Sequence, residues 1–197
     1  MGITGSLLLD FAHADSDVDL VIYDADAFRR TRGVVRESLG AAELQPIDTE
    51  PWRRIHARRG CALDFEEYLR QERRKYNKFM LDGVRIDLSY VPAGNRVRLY
   101  EPPIRKLGPA TIEAVVVDDT GVFDYPARYI IDADRTGTIL CFTATYAGQA
   151  FRGERIEASG MMEEDAAGNT YMVIGTSREA PGEYLKVIDP GPLPASP

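Results

Sequence analysis

Apolar positions follow two different rhythms along this chain, and the change of rhythm divides it. In the first hundred residues, short apolar runs alternate with helical spacings. Residues 18–23 form an apolar, β-branched run broken by one acid, which predicts a buried strand. From about Asp26, the residues Phe28, Val34, Val35 and Leu39 recur at helical spacing and Gly40 follows, predicting a helix with a glycine stop. Pro51 stands where a first helical turn accepts proline, so residues 51–59 read as a short helix ending at Gly60. Asp64 and Glu67 make a capping box with aspartate in the serine position. It opens a helix reaching about Tyr76, with Phe65, Tyr68, Leu69 and Tyr76 inward. Asp82-Gly83 between Phe79-Met80-Leu81 and Val84-Arg85-Ile86 predicts a hairpin whose second arm runs through Asp87 to Val91. Ahead of all this, Gly2-Ile3-Thr4 reads as the end of a strand, and Leu7-Leu8-Leu9 as one helical turn. Such a start suggests a fragment or an unusually short first element.

Pro92, Gly94, Pro102, Pro103 and Gly108-Pro109 then punctuate the chain, placing a domain boundary near residue 105. Beyond it come short strands separated by turns, at 111–117, 128–131, 138–146, 154–162 and 171–175. Five or six strands with almost no helical signal predict a small barrel or sandwich, with an OB-like barrel the first choice. The expected fold is therefore α+β: a mixed α and β domain over 1–104, a small all-β OB-like barrel over 105–189, and a flexible tail over 190–197. There is no internal repeat.

Composition narrows the function classes. Hydrophobic residues make up 44% and charged residues 28% of the 197, as in ordinary globular domains. The net charge is −7, against a protein that coats nucleic acid electrostatically. Residues 1–104 hold 16 basic and 17 acidic side chains, and residues 105–197 hold 8 and 14, so the second part is −6 and the first only −1. Cys61 and Cys141 supply neither a disulfide framework nor a zinc site and read as reduced, buried thiols. No apolar run reaches the length of a membrane span and no leader pattern precedes the first strand, so a cytoplasmic protein without membrane partners is expected.

The chemistry-bearing feature is a set of aspartates. Asp17 and Asp19 are two apart at the start of a strand, so their side chains leave the same face. Carboxylates so placed beside Val21 and Ile22 suffer mutual repulsion and desolvation that a bound cation relieves. Asp87 has the same context, framed by Ile86 and Leu88. Magnesium suits three such acids, because it takes few carboxylates, retains waters and accepts triphosphate oxygens; manganese is the alternative. Gly5-Ser6 offers a backbone free to approach a phosphate, with a hydroxyl beside it.

Gly5-Ser6, ten residues, Asp17-Val18-Asp19-Leu20 and the later Ile86-Asp87-Leu88 together resemble the signature of the DNA polymerase β-type nucleotidyltransferase superfamily. The resemblance implies a polymerase-β-like nucleotidyltransferase fold over residues 1–104. It implies that Asp17 and Asp19 bind two metal ions, that Asp87 binds the catalytic one, and that Ser6 holds a triphosphate oxygen. The partner is then a nucleoside triphosphate, and the acceptor an RNA end, a protein hydroxyl or a small molecule. Arg73-Arg74-Lys75-Tyr76-Asn77 and residues 177–184 further resemble uncharacterised archaeal-type predicted nucleotidyltransferases. Members of the superfamily usually have a helix and a full strand before the Gly-Ser, and a small or basic residue soon after it; this chain has neither.

Other readings stand beside these. Asp15-Ser16-Asp17-Val18-Asp19 also opens an EF-hand pattern, which wants glycine where Leu20 stands and glutamate where Asp26 stands. The paired aspartates could be caps at the start of a strand. Asp24 and Asp26 read as a helix N-cap pair, and Asp132 and Asp134 as part of a hairpin turn before Arg135-Thr136-Gly137. His13 is a loop histidine within reach of a phosphate or a solvated one, and His56 a helix-surface residue among arginines. The basic groups at 53–59 and 70–78 are either a solvated face or cations for the triphosphate, with Arg73, Arg74 and Lys75, and Ser16 beside the acids, as the nucleotide-binding candidates. Trp52 and Tyr76 fit core packing or base stacking. Two further functions remain open: a nucleotide-binding or antitoxin-like module without turnover, and a nucleic-acid adaptor, protein-partner or oligomerisation module acting through the barrel.

Overall fold

The structure, a computed structural model, describes residues 1–8, 16–92, 105–177, 180 and 182–189. His13, Gly94, Pro102, Pro103, part of the 177–184 motif and the 190–197 tail lie outside these residues. The chain is mixed α and β and forms two compact units, Met1–Arg58 with Tyr68–Arg98, and Arg59–Glu67 with Leu99–Pro197.

The first unit holds a four-stranded sheet, β1 (Gly2–Thr4), β2 (Val18–Ile22), β3 (Lys78–Leu81) and β4 (Val84–Tyr90), in the order β1-β2-β4-β3. β2 and β4 are parallel while the other pairs are antiparallel. A parallel pair needs a long crossover. Here it consists of α1 (Ala25–Gly40), α2 (Thr49–Arg59), α3 (Phe65–Arg74) and β3. Asp24 caps α1, its carboxylate accepting from the Ala27 amide at 2.7 Å, while Asp26 pairs with Arg29 on the first turn. α1 buries Phe28 and Val35 but leaves Val34 59% exposed. The capping box closes reciprocally: Asp64 Oδ1 accepts from the Glu67 amide at 2.8 Å, and Glu67 Oε2 from the Asp64 amide at 3.4 Å.

Between β3 and β4, Asp82 and Gly83 take φ of 50° and 79°, the two left-handed residues of a tight hairpin turn. Alternation in β4 sends Ile86 and Leu88 into the core and leaves Arg85, Asp87 and Ser89 on the opposite face. The core also holds Trp52, 2% exposed and edge-on to Tyr68, which favours packing over base stacking.

The second unit is a closed five-stranded barrel. β5 (Arg105–Asp118), β6 (Ala127–Asp132), β7 (Thr138–Cys141), β8 (Arg155–Glu164) and β9 (Thr170–Ile174) follow the order β8-β5-β6-β7-β9, and a β8–β9 pairing closes the ring. β7 and β9 are parallel; the remaining pairs are antiparallel. β5 starts six residues before the expected strand, through a register shift between Lys106 and Gly108. Proline is tolerated at position 109 because that half of β5 pairs with β8 alone. β7 stops at Cys141, short of the expected 146, and residues 133–137, with Asp134, connect it to β6. A strand absent from the sequence reading, β10 (Tyr184–Asp189), pairs with residues 155–159 of β8. The same edge of β8 passes to β9 at Met161, and Gly160 stands at the handover. Inward residues include Ile112, Ala114, Val116, Tyr129, Ile139, Ile156, Met172 and Ile174.

Candidate metal centre

Strands place two acids of the cluster, and the third stands just before one of them. In the parallel register of β2 and β4, Asp19 pairs directly with Asp87, so both side chains stand on one face of the sheet. Asp17, two residues before Asp19, joins that face. One carboxylate oxygen from each of Asp17, Asp19 and Asp87 lies within 4.8 Å of the other two, a grouping that could hold a metal ion. None of the three side chains is fully buried.

Gly5 completes the wall. Thr4 on β1 pairs with Asp19, and the chain then enters a short 3-10 turn, Gly5–Leu7, with Gly5 at φ 73°. A Cβ on Gly5 would overlap the Asp19 carboxylate, so glycine is required here both by the left-handed backbone and by the space the acid occupies. Ser6 follows within the turn, and Ser16 precedes Asp17 directly; both are half-buried.

Among the described residues, the cluster also holds a cation, Arg85, that is not one of the sequence candidates. Arg85 donates from Nε to Asp87 Oδ1 at 2.8 Å and from Nη2 to Asp87 Oδ2 at 2.5 Å, while its Nη1 stands 3.7 Å from Asp17 Oδ2. The signal was in the spacing: Arg85 and Asp87 are two apart on one strand and therefore share a face. Burial raises the Asp19 pKa above its ordinary value, the charges of Asp17 and then Asp87 raise it further, and Arg85 opposes them. For Arg85 itself, burial works to lower the pKa. The hydrogen bond and charge of Asp87, then Asp17 and Asp19, outweigh that and hold it above its ordinary value.

The three cations proposed from sequence for the triphosphate sit at the end of α3 and just beyond, with partners there. Arg73 is exposed and donates to Thr49 Oγ1 at 3.4 Å, and Arg74 donates to Gln71 Oε1 at 3.3 Å. Lys75 corrects the expectation of a phosphate-facing lysine. It is 2% exposed, and its ammonium is held by the equally buried Glu72, which also takes Lys78 at 2.6 Å. Tyr76 is half-buried in the turn after α3 with φ 51°. Cys61 and Cys141 are both free thiols, the first half-buried and the second buried. The EF-hand alternative fails because residues 18–22, which would form the middle of that loop, are strand β2.

Compared with known proteins, the chain is 35% identical over 198 residues to an uncharacterised protein of Methanocaldococcus jannaschii, covering 95% of this chain. The match spans 58% of that relative's length. No family model matches the chain, and no solved structure matches it significantly.

Proposed function

We propose that the first unit is a nucleotidyltransferase domain of the polymerase-β type, moving a nucleoside monophosphate from a nucleoside triphosphate to a hydroxyl acceptor. The observation that carries this reading is the convergence of Asp17, Asp19 and Asp87 beside the backbone of Gly5. An all-carboxylate donor set is hard and anionic, and oxygen atoms within 4.8 Å of one another suit a small divalent cation or a close pair of them. The raised pKa of Asp19 supports the fit: burial and then the charges of Asp17 and Asp87 disfavour its ionised form, and a bound cation would relieve both.

On this reading Asp19 from β2 and Asp17 just before it hold the cation side by side, and Asp87 shares it from β4 and faces the acceptor. Gly5 lets the backbone lie close to the triphosphate, with the Ser6 hydroxyl donating to a phosphate oxygen. Bound magnesium or manganese would supply charge neutralisation at the transferring phosphate and lower the pKa of the attacking hydroxyl. Residues 105–197, with their −6 charge, are proposed as an OB-like barrel serving a protein partner or self-association: the ring order and the parallel pair of β7 with β9 fit that topology.

The test is pyrophosphate release from each of the four nucleoside triphosphates with magnesium, offered RNA, protein and small-alcohol acceptors. The expected result is release that a chelator abolishes and that Asp19→Asn largely removes. Turnover surviving the double substitution Asp17→Ala, Asp19→Ala would end the reading. Magnesium-dependent nucleotide binding without product on any acceptor would select the non-catalytic module instead.

A further inference from the structure

Arg85 stands where a cation is wanted. Its guanidinium takes both oxygens of Asp87, at 2.8 and 2.5 Å, and its Nη1 stands 3.7 Å from Asp17, just before β2. Two of the three carboxylates that could hold a metal are thus engaged by one side chain. Three carboxylates and one guanidinium leave the cluster at −2, the charge that a single divalent ion neutralises. The side chain is 25% exposed, so it is not sealed beneath the acids.

We infer that Arg85 is a displaceable counter-ion: it holds the three aspartates together before metal arrives, competes with free divalent cation for Asp17 and Asp87, and turns to the phosphate oxygens of the incoming nucleotide. This deepens the nucleotidyltransferase reading and rests on it. The chemistry follows from the fork. A guanidinium that loses a carboxylate needs another planar pair of acceptor oxygens, and a triphosphate brings them together with the metal. Metal alone offers Arg85 no replacement partner and repels it; metal carried on a nucleotide offers one. Arg85 therefore biases the site toward the metal–nucleotide complex over free metal, a coupling between two ligands through one side chain.

The experiment measures two affinities in the full chain, for Mn²⁺ alone by electron paramagnetic resonance and for a non-hydrolysable triphosphate analogue at saturating Mn²⁺ by calorimetry. Arg85→Gln should bind Mn²⁺ alone about tenfold more tightly, because the repulsion between guanidinium and ion disappears. It should bind the Mn²⁺–nucleotide complex about tenfold more weakly, because a charge-assisted pair is lost. Arg85→Lys, which keeps the charge without the fork, should bind Mn²⁺ nearly as the wild type does and recover only part of the nucleotide affinity. It also serves as the variant of unchanged charge should Arg85→Gln fold poorly. Equal or weaker Mn²⁺ binding by Arg85→Gln overturns the inference and makes Arg85 a fixed support for Asp87. Tighter Mn²⁺ binding with no nucleotide binding by any form, wild type included, overturns the nucleotide part while leaving the metal competition standing. Adding Asp19→Asn to Arg85→Gln should remove the Mn²⁺; retention would place the ion elsewhere and overturn both readings.

Discussion

At Gly5 two independent restrictions meet on one atom. A side chain there would strain a backbone at φ 73° and would also drive a methyl into the Asp19 carboxylate. Gly5→Ala should therefore cost about 1–2 kcal/mol of stability and, more tellingly, displace Asp19 from its partners. The expected outcome is a small fall in the thermal midpoint with a much larger loss of Mn²⁺ affinity, read by calorimetry on the folded variant. At the same scale Arg85 was legible in principle, since an Arg-x-Asp on a strand puts both groups on one face. Lys75 was not: its position beside Arg73 and Arg74 reads as a basic surface. Only the packing reveals that Glu72 takes it into the interior.

Elements are joined by that same Glu72. It lies on α3, receives Lys75 from the turn that follows and Lys78 from the start of β3, and is 3% exposed. Burial would raise its pKa, but the charges of Lys75 and Lys78 and the hydrogen bonds they donate outweigh this and lower it from 4.5 to about 2. A carboxylate whose folded pKa lies below its unfolded value adds stability that is fully present above the unfolded pKa. That stability is lost as pH falls through the folded one. Glu72 should accordingly hold α3 to β3 above about pH 5 and release them as pH approaches 2. Glu72→Gln leaves the buried Lys75 ammonium and the part-buried Lys78 ammonium facing an amide, at a cost on the order of 3–5 kcal/mol at pH 7. Urea unfolding between pH 7 and 2 should show that deficit shrinking as the wild type loses what the variant never had. Elements themselves were largely readable. The capping box at Asp64, the N-cap at Asp24 and the Asp82-Gly83 turn rest on local chemistry and stand as expected. β10 carries a weak signal although Leu185 and Val187 alternate with Lys186, because a short strand with few apolar residues declares itself only beside a partner.

Across the whole molecule, barrel closure depends on β8 giving one edge first to β10 and then to β9. Gly160, at the handover, approaches β9 so closely that a Cβ would overlap the Val173 carbonyl, with the Met172 and Ile174 side chains at 3.0 and 3.1 Å. Gly160→Ala should destabilise the barrel by about 1–3 kcal/mol, since a packed backbone can yield only by opening the pairing. Hydrogen exchange should find the lost protection in residues 161–164 and 170–174. A turn, a cap or an amphipathic period is a contract between residues a few positions apart, so the sequence states it openly. That is why most of the elements, the change from mixed α and β to all-β, and the three aspartates could be read without coordinates. The pairing of Asp19 with Asp87 spans 68 positions, the guanidinium that shares their face comes with it, and the β8–β9 closure joins strands by register. Such contacts follow from which strand lies beside which, and only folding brings those strands together.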